Sequence, residues 1–469
     1  MARVTRIGIL GGGPGGYEAA LVAAQLGAEV TVVDRDGLGG SAVLTDCVPS
    51  KTLIATAEAM TDAAESGELG VRVGSGHSPE GQVTVDLARV NARVTALARA
   101  QSEDIAARLG REGVRVVRGA GRLDGPSRIV AALVEGGEEV VEVDNVLVAT
   151  GAHPRVMPTA VPDGERILNW EQIYSLEALP EHLIVVGSGV TGAEFASAYT
   201  ALGSAVTLVS SRDRVLPGED ADAATVLEGV FKRRGMTVLS QSRAQGVRRT
   251  ASGVVVSLDD GRTIEGSHCL MAVGSVPNTE GIGLEEAGVR LAKGGYVEVD
   301  RVSRTAVPSI YAAGDCTGVL MLASVAAMQG RIAMWHSLGD AVTPLNLRAV
   351  SSNVFTDPEI ATVGWTQTDV DEGTTDALVI KLPLATNPRA KMQGTHDGFV
   401  KLFARPGSGT VVGGVVVAPR ASELIFPVAL AVDVRLTVDQ LAHSFTVYPS
   451  ITGSIAEAAR QLHTRVGHG

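Results

Sequence analysis

Two stretches of the chain repeat the same pattern of apolar and glycine positions. In the first, an apolar run at 7–10 leads into a glycine-rich turn at 11–16, a helical stretch and a second apolar run at 30–33. In the second, an apolar run at 183–186 leads into a turn at 187–192, a helical stretch and an apolar run at 206–209. This order is typical of a strand–turn–helix–strand nucleotide-binding unit. The pattern therefore predicts an α/β fold with two Rossmann-like dinucleotide-binding domains.

Other parts of the chain add strands and a region of different character. Two further apolar runs end in Ala-Thr-Gly at 149–151 and in Ala-Gly-Asp at 313–315. From about residue 346, alternating strand-like segments and turns are followed by helical stretches, which indicates a C-terminal α+β domain. Residues 61–90 contain Gly and Ser in a weaker pattern, and they indicate no function.

Length, composition and charge narrow the class of protein. A chain of 469 residues is long enough for two to four domains, and 45% hydrophobic with 20% charged residues is ordinary for a globular protein. The formal charge of −12 argues against a nucleic-acid partner. The apolar runs are too short for a transmembrane segment, a strand starting near Val4 leaves no room for a signal peptide, and three cysteines do not suggest a secreted disulfide scaffold. We therefore expect a cytoplasmic protein.

The glycine spacing has a specific physical meaning. In each turn the first glycine permits the sharp bend, the second lets the backbone approach a pyrophosphate, and the third lets helix and strand pack closely. Asp34 ends the second apolar run of the first unit, where a carboxylate accepts hydrogen bonds from a ribose without a 2′-phosphate, as in FAD. Two such turns, each within a strand–turn–helix–strand pattern, predict two dinucleotide sites.

The second unit ends differently. Its last apolar run is followed by Ser210, Ser211, Arg212, Asp213 and Arg214 instead of an acid. Two hydroxyls with Arg212 or Arg214 are suited to hold a 2′-phosphate, because guanidinium matches the geometry of phosphate. We predict that NADPH is the preferred nucleotide, and Asp213 leaves NADH possible.

Residues 37–51 carry the most informative motif. They read Gly-Leu-Gly-Gly-Ser-Ala-Val-Leu-Thr-Asp-Cys-Val-Pro-Ser-Lys. This segment resembles the redox-active helix of the flavin-dependent disulfide reductases, the family of dihydrolipoamide dehydrogenase, glutathione reductase and mercuric reductase, where the pattern is roughly G-G-T-C-L-N-x-G-C-x-P-S-K. Cys47 and Lys51 fall in register with it. Ala42 stands where the family has its first cysteine.

The resemblance covers nearly the whole chain and implies three domains. A discontinuous FAD-binding domain would comprise residues 1–155 and 276–345, an NAD(P)-binding domain residues 156–275, and a dimerisation domain residues 346–469. The implied assembly is a homodimer, with a higher oligomer open. The implied cofactors are FAD and NADPH, and no metal site is predicted.

The resemblance also implies roles for particular residues. Asp315 would hold the ribityl chain, and a helix starting at Leu322 and Ala323 would point at the flavin pyrimidine edge. Lys51 would lie beside flavin N5 and pair with Glu194. The predicted catalytic residues are Lys51, Glu194, Cys47 and Tyr448. The predicted cofactor-binding residues are Gly11, Gly13, Pro14, Gly15, Gly16, Asp34, Arg35, Gly40, Ser41, Lys51, Ala120, Thr150, Gly151, Asp315, Leu322, Ala323, Gly187, Gly189, Gly192, Glu194, Ser210, Ser211, Arg212, Arg214 and Gly274.

Other parts of the family's thiol relay are also missing. Its C-terminal His-Pro-x-x-x-Glu signature is replaced by Tyr448, Pro449 and Gly453, and His443 is out of register. A tyrosine, with a pKa near ~10, is a poor base at neutral pH. Cys269 lies in an apolar run and Cys316 follows Asp315, so we expect both to be structural.

These replacements direct the functional hypotheses. The favoured one is an NAD(P)H dehydrogenase that passes electrons from flavin directly to a quinone, with Tyr448 as a weak proton donor or a surface for the ring. The first alternative uses Cys47 alone, as a peroxide or small-disulfide reductase or an NAD(P)H oxidase, through a sulfenic acid or a mixed disulfide. Transhydrogenation between nicotinamide nucleotides and a flavin-binding subunit without turnover also stay open.

Overall fold

A computed structural model describes residues 4–71 and 83–466. The strands are β1 (Arg6–Leu10), β2 (Glu29–Asp34), β3 (Arg115–Leu123), β4 (Arg128–Leu133), β5 (Glu138–Glu142), β6 (Asn145–Val148), β7 (Ala152–Pro154), β8 (Ile167–Leu168), β9 (His182–Val186), β10 (Ala205–Val209), β11 (Thr237–Leu239), β12 (Ala244–Arg249), β13 (Val254–Leu258), β14 (Thr263–Gly266), β15 (His268–Met271), β16 (Ser275–Pro277), β17 (Ile310–Ala312), β18 (Ser351–Val354), β19 (Glu359–Gly364), β20 (Leu378–Pro383), β21 (Phe399–Ala404) and β22 (Val411–Ala418).

The α-helices are α1 (Pro14–Gln25), α2 (Gly40–Leu44), α3 (Cys47–Glu65), α4 (Leu87–Arg111), α5 (Val190–Leu202), α6 (Ala221–Arg233), α7 (Ala323–Ser337), α8 (Gln367–Asp371), α9 (Pro388–Met392), α10 (Ala421–Leu424), α11 (Phe426–Asp433), α12 (Val438–His443) and α13 (Gly453–Val466). Short 3₁₀ helices occupy Ser66–Leu69, Ile173–Ser175, Asp315–Thr317, Leu347–Ala349 and Leu384–Thr386. Of the weakly patterned stretch 61–90, residues 72–82 lie outside the described residues, and the rest includes the end of α3 and the start of α4. Among the described helices, none is both long and apolar enough to cross a bilayer.

The chain divides into two compact units. The first comprises residues 1–52, 91–155 and 274–345, and the second comprises 53–90, 156–273 and 346–469. The second unit contains two separate apolar cores, one from residues 157–273 and one from residues 361–466. The predicted boundaries between three domains stay a prediction.

The first unit is built on a seven-stranded sheet in the order β17-β6-β1-β2-β3-β4-β5. The strands from β17 to β3 are parallel, and β3, β4 and β5 form an antiparallel meander. The parallel strands are mostly apolar and buried because helices α1 and α7 cover one face and a second apolar core, which includes residues of β4 and β5, covers the other. β1 lies between β2 and β6, so the turn after β1 is at the point where the strand order reverses, which is where α/β sheets bind ligands.

The second unit contains two main sheets. The first is parallel, in the order β11-β10-β9-β15-β8, with the glycine turn after its central strand β9. The second is antiparallel, in the order β18-β19-β22-β21-β20, and its central strands β21 and β22 are buried at every residue. The predicted α/β class with two Rossmann-like units and a C-terminal α+β region is therefore confirmed.

Candidate dinucleotide and redox site

The first glycine turn is as tight as its spacing predicts. Gly11 has φ 96°, and a Cβ there would lie 2.3 Å from the carbonyl oxygen of Ala149. A Cβ on Gly16 would lie 1.9 Å from the Gly11 carbonyl oxygen, so helix and strand are packed too closely for any side chain. Gly13 is different, because a Cβ there would meet nothing within 4 Å. The turn thus leaves open space at the one glycine whose backbone the motif assigns to a pyrophosphate.

The helix that follows this turn also suits an anion. α1 begins at Pro14, and no side chain caps its N-terminus. Pro14 has no N–H, and the Gly16 and Tyr17 N–H groups both donate to the Gly13 carbonyl oxygen at 2.9 Å. In this first turn the Gly15 N–H is the donor left for a ligand. Gly15 packs against Ala313, with a Cβ there 3.1 Å from the Ala313 Cβ.

Asp34 holds the loop that closes over the turn. Its Oδ2 accepts a hydrogen bond from the Gly12 N–H at 2.7 Å, and its Oδ1 accepts from the Gly37 N–H at 2.7 Å and the Asp36 N–H at 3.1 Å. A carboxylate has about four acceptor positions, so this arrangement still leaves capacity for a ribose hydroxyl. Arg35 is exposed, and its guanidinium binds the Asp36 carboxylate with two contacts of 2.8 Å.

Three other predicted residues occupy the same unit. Gly40 has φ 55°, and a Cβ there would lie 2.8 Å from the Gly13 Cα, so α2 begins directly beside the glycine turn. Ser41 contacts Thr45 within α2, with 3.1 Å between the two hydroxyl oxygens. Ala120 lies on β3, where it pairs with Ala132.

Asp315 occupies a largely buried position at the start of a 3₁₀ helix. Burial, with a smaller contribution from the nearby Asp46 carboxylate, raises the pKa of Asp315 to about 6. The preceding Gly314 has φ 84°, and its N–H donates to the Gln329 side chain at 2.9 Å. Leu322 is extended and precedes α7, which starts at Ala323 with no side-chain cap. The predicted helix start is therefore confirmed, while the contacts of these residues with flavin stay a prediction.

Thr150 and Gly151 are fixed by a residue that the sequence analysis missed. The Thr150 hydroxyl donates to the Asn278 carbonyl oxygen at 2.7 Å, and the Asn278 amide donates to the Thr150 carbonyl oxygen at 2.9 Å. The Asn278 N–H also donates to the Gly151 carbonyl oxygen at 3.0 Å. Asn278 follows Pro277 just after the chain returns to the first unit, and no motif distinguishes it. Gln329 was missed for the same reason.

The redox helix begins at its cysteine. Cys47 is the first residue of the 19-residue helix α3, is partly buried, and lies one turn before Lys51. Ala42 lies on the preceding short helix α2. Cys269 and Cys316 are fully buried, as expected, and burial raises the pKa of both thiols, that of Cys316 to about 11. These two thiols therefore stay neutral and belong to the apolar cores.

The second glycine turn repeats the geometry of the first. Gly187 has φ 112°, with a Cβ position 2.1 Å from the Ala272 carbonyl oxygen. A Cβ on Gly192 would lie 1.8 Å from the Gly187 carbonyl oxygen, and one on Gly189 would meet nothing within 4 Å. α5 starts at the next residue without a side-chain cap. This site too has an open approach at its second glycine. Gly274, the last predicted nucleotide residue, is in the first unit and has φ 94°.

The structure separates the residues predicted to hold a 2′-phosphate. Ser210 is fully buried, and its Oγ lies 2.7 Å from the Ser188 Oγ and accepts from the Arg212 N–H at 3.1 Å. Ser211 and Arg212 are exposed, whereas the partly buried Arg214 donates to the Pro217 carbonyl oxygen at 3.3 Å. Ser210 thus fixes the loop, and the exposed side chains are those of Ser211, Arg212 and the acidic Asp213.

Glu194 and Lys51 lie in different units. Glu194 is buried on α5, where its Oε1 accepts a hydrogen bond from the Phe355 N–H at 2.9 Å. Lys51 is partly buried on α3 of the first unit. Their pairing stays a prediction.

The C-terminal segment that replaces the family's histidine signature is exposed. Tyr448 is 82% exposed and Phe445 is 106% exposed. Gly453 is the first residue of α13. His443 is exposed on α12 and pairs with Asp439 on its own helix, with 3.2 Å between Nδ1 and Oδ1.

Fold and site define an oxidoreductase with two dinucleotide sites, and the comparisons with known proteins give its family. Residues 5–330 match the model of the pyridine nucleotide-disulphide oxidoreductases, and residues 350–459 match the dimerisation domain of the same family. The chain belongs to this family, whose members are FAD- and NAD(P)-dependent flavoprotein oxidoreductases. The resemblance inferred from the sequence is confirmed.

Similarity to individual members of the family is as follows. The chain is 57% identical over 468 residues to the NAD(P)H dehydrogenase (quinone) of Mycobacterium tuberculosis strain H37Rv, covering 98% of this chain and 94% of that protein. It is 32% identical over 465 residues to the dihydrolipoyl dehydrogenase of Zymomonas mobilis, covering 98% of both. The crystal structure of LpdA from Mycobacterium tuberculosis matches with a TM-score of 0.93 and 57% identity, over 98% of this chain and 100% of that one.

Proposed function

We propose that this protein transfers electrons from NADPH through bound FAD directly to a quinone, without a thiol–disulfide relay. The observation that carries the proposal is the replacement of the relay at both ends. Position 42 holds an alanine methyl where the family has a sulfur, and position 448 holds a phenol where the family has an imidazole. Cys269 and Cys316 are buried core residues, so neither is placed to supply the second sulfur.

Several features of the two glycine turns support binding of the two nucleotides. The open Gly13 and Gly189, the uncapped starts of α1 and α5, and the Asp34 carboxylate would hold FAD and the nicotinamide nucleotide. Bound FAD would supply the chemistry, because it accepts a hydride and gives electrons up singly or in pairs. Ser211 and Arg212 support NADPH as the preferred donor, since both are exposed beside the buried Ser210.

A quinone needs less from the protein than a disulfide does. Its reduced product takes up protons from water or a weak donor, so a histidine base is unnecessary. Tyr448 is exposed, and in the proposed homodimer it would provide such a donor or a ring surface. The name of the Mycobacterium tuberculosis relative, NAD(P)H dehydrogenase (quinone), supports the same acceptor class.

Steady-state turnover of the Cys47→Ser variant tests the proposal. With NADPH and a water-soluble naphthoquinone, we expect kcat/KM to stay within about twofold of wild type, because no sulfur takes part. Lipoamide and glutathione disulfide should give no turnover with either protein. Lys51→Met is the matched comparison on the same helix, and we expect it to slow flavin reduction by about tenfold or more, since a cation beside the flavin stabilises negative charge.

The single-cysteine alternative predicts a different pattern. Cys47 is the first residue of a 19-residue helix, a position that stabilises a thiolate. If peroxide drives NADPH oxidation and Cys47→Ser abolishes it, the alternative is supported. Loss of naphthoquinone reduction in Cys47→Ser, with normal flavin content, would contradict direct transfer from flavin.

A further inference from the structure

Lys401 is a buried cation in the middle of an apolar strand. Its side chain is 2% exposed, and within residues 4–71 and 83–466 it is the only buried lysine or arginine. Every other residue of β21 is apolar and buried. Burying an ammonium is expensive unless it is paired, so an apolar side chain would be the simpler choice for packing alone.

The partners of Lys401 lie at the start of helix α6. The Nζ atom is 2.7 Å from Asp220 Oδ2 and 2.7 Å from Asp222 Oδ2. The Asp220 side chain is also 2% exposed, and its second oxygen accepts hydrogen bonds from the N–H groups of Asp222, at 3.0 Å, and Ala223, at 3.2 Å. Asp220 thus caps α6 with one oxygen and binds Lys401 with the other.

The segment that ends at Asp220 is the one that carries Ser211 and Arg212. At its beginning, Ser210 and the glycine turn are joined through Ser188, whose carbonyl oxygen also accepts from the Leu216 N–H at 2.9 Å. Leu216 has φ 50°, a strained conformation for a leucine, and its side chain is buried. Such a conformation persists only where its surroundings hold it. Asp220 is the other fixed end of this segment.

We infer that Lys401 is a positioning residue for nicotinamide nucleotide selection. This inference rests on the proposed function, because it assumes that Ser211 and Arg212 meet the adenosine ribose and its 2′-phosphate. Lys401 fixes Asp220, Asp220 fixes the end of the 211–219 segment, and the segment presents the two side chains. Lys401 also neutralises the Asp220 carboxylate, which would otherwise repel an anionic 2′-phosphate.

The test compares Lys401→Met with Lys381→Met. Lys381 lies on β20, its side chain is 47% exposed, and its Nζ is 2.9 Å from Asp222 Oδ1. It therefore contacts one of the two carboxylates that bind Lys401 without being buried. We expect Lys401→Met to raise the Kd for NADPH about tenfold and that for NADH less than threefold, with an unchanged limiting rate of flavin reduction. Lys381→Met should change the Kd for NADPH and the Kd for NADH by no more than twofold. Rapid-mixing reduction of the holoenzyme measures both constants.

A second variant separates positioning from folding. Lys401→Met/Asp220→Asn removes both buried charges while keeping a good helix cap. We expect its thermal unfolding midpoint to return towards wild type, while calorimetry still shows about tenfold weaker binding of 2′,5′-ADP. Wild-type affinity for 2′,5′-ADP in this double variant would overturn the inference, as would an equal loss in Lys381→Met.

The proposed function can fail without obscuring this result. Absence of quinone turnover refutes the acceptor, but fragment binding still reports on Lys401. If the wild type binds 5′-AMP as tightly as 2′,5′-ADP, the proposed NADPH preference is wrong. The affinity of the double variant for 5′-AMP then tests whether Lys401 positions the segment. A tenfold loss of 5′-AMP binding in the double variant would support positioning, and no loss would overturn it.

Discussion

In the first unit, the burial of one carboxyl group changes its pKa. Asp315 is a carboxyl group largely removed from water, close to a second carboxylate at Asp46. Both influences disfavour the charged form, which is why the pKa of Asp315 rises from 3.8 to about 6. A group whose folded-state pKa is raised in this way favours folding at low pH, since the folded protein then binds the extra proton.

The consequence is a pH dependence of stability that Asp315→Asn removes. Between pH ~4 and ~6 the folded wild type gives up a proton that the unfolded chain has already lost, so its stability falls as pH rises, by at most about 3 kcal/mol. The variant cannot ionise. We expect the unfolding midpoint of Asp315→Asn to exceed that of wild type above pH ~6.5, and the difference to vanish near pH ~4. Thermal unfolding across this range measures it, and a difference independent of pH would contradict the assignment.

At the scale of elements, different glycines of each turn have different roles: one allows close packing, and another leaves space for a ligand. Gly192 has no room for a Cβ, whereas Gly189 faces open space with φ −73° and ψ −173°, which any residue adopts. The same distinction holds for Gly16 and Gly13 in the first unit. Two alanine substitutions three residues apart should therefore have different effects.

Gly189→Ala should fold normally and bind nucleotide poorly. We expect the thermal unfolding midpoint without nicotinamide nucleotide to stay within about 1 °C of wild type and the KM for NADPH to rise about tenfold, because the new methyl occupies the approach of the pyrophosphate. Gly192→Ala should lower stability by about 1–3 kcal/mol or prevent folding, as overpacking against backbone does. If Gly189→Ala kept wild-type affinity, the second turn would not be the nucleotide site.

The elements that the sequence predicts are those set by local pattern. Both strand–turn–helix–strand units and the burial of Cys269 follow from neighbouring residues, while the helix start at Ala323 follows from the family resemblance. Asn278, Gln329 and the Lys401–Asp220 pair do not, because each acts on a segment distant in sequence. The buried role of Ser210 was also missed, since its partner Ser188 is 22 residues away. Contacts between residues distant in sequence depend on tertiary packing, and the hydrophobic periodicity of the sequence does not predict them.

At the scale of the molecule, the C-terminal region of the second unit exposes an unusual amount of apolar surface. Phe445 is 106% exposed, Val447 80% and Tyr448 82%, and Phe426 on α11 is 68% exposed. Exposed apolar side chains that follow one another closely along the chain, as at 445–448, are typical of interaction surfaces. The match of residues 350–459 to the family's dimerisation domain supports self-association through this region.

Phe445→Asp should therefore weaken self-association. Truncating an aromatic anchor and placing a charge in an apolar contact costs about 2–4 kcal/mol, which raises the dimer dissociation constant roughly 30-fold to 1,000-fold. Val161→Asp is the matched control, since Val161 is 57% exposed and lies outside the dimerisation domain. Sedimentation velocity over a concentration series should show monomer for Phe445→Asp where wild type and Val161→Asp stay associated.

The activity of the monomer tests the role of Tyr448. Since NADPH oxidation uses groups within one chain in the proposed mechanism, the monomer should still bleach its flavin with NADPH. Its quinone turnover should fall with the dimer fraction if Tyr448 acts across the interface. An associated Phe445→Asp protein would place the interface elsewhere, and a monomer with full quinone turnover would remove Tyr448 from the reaction.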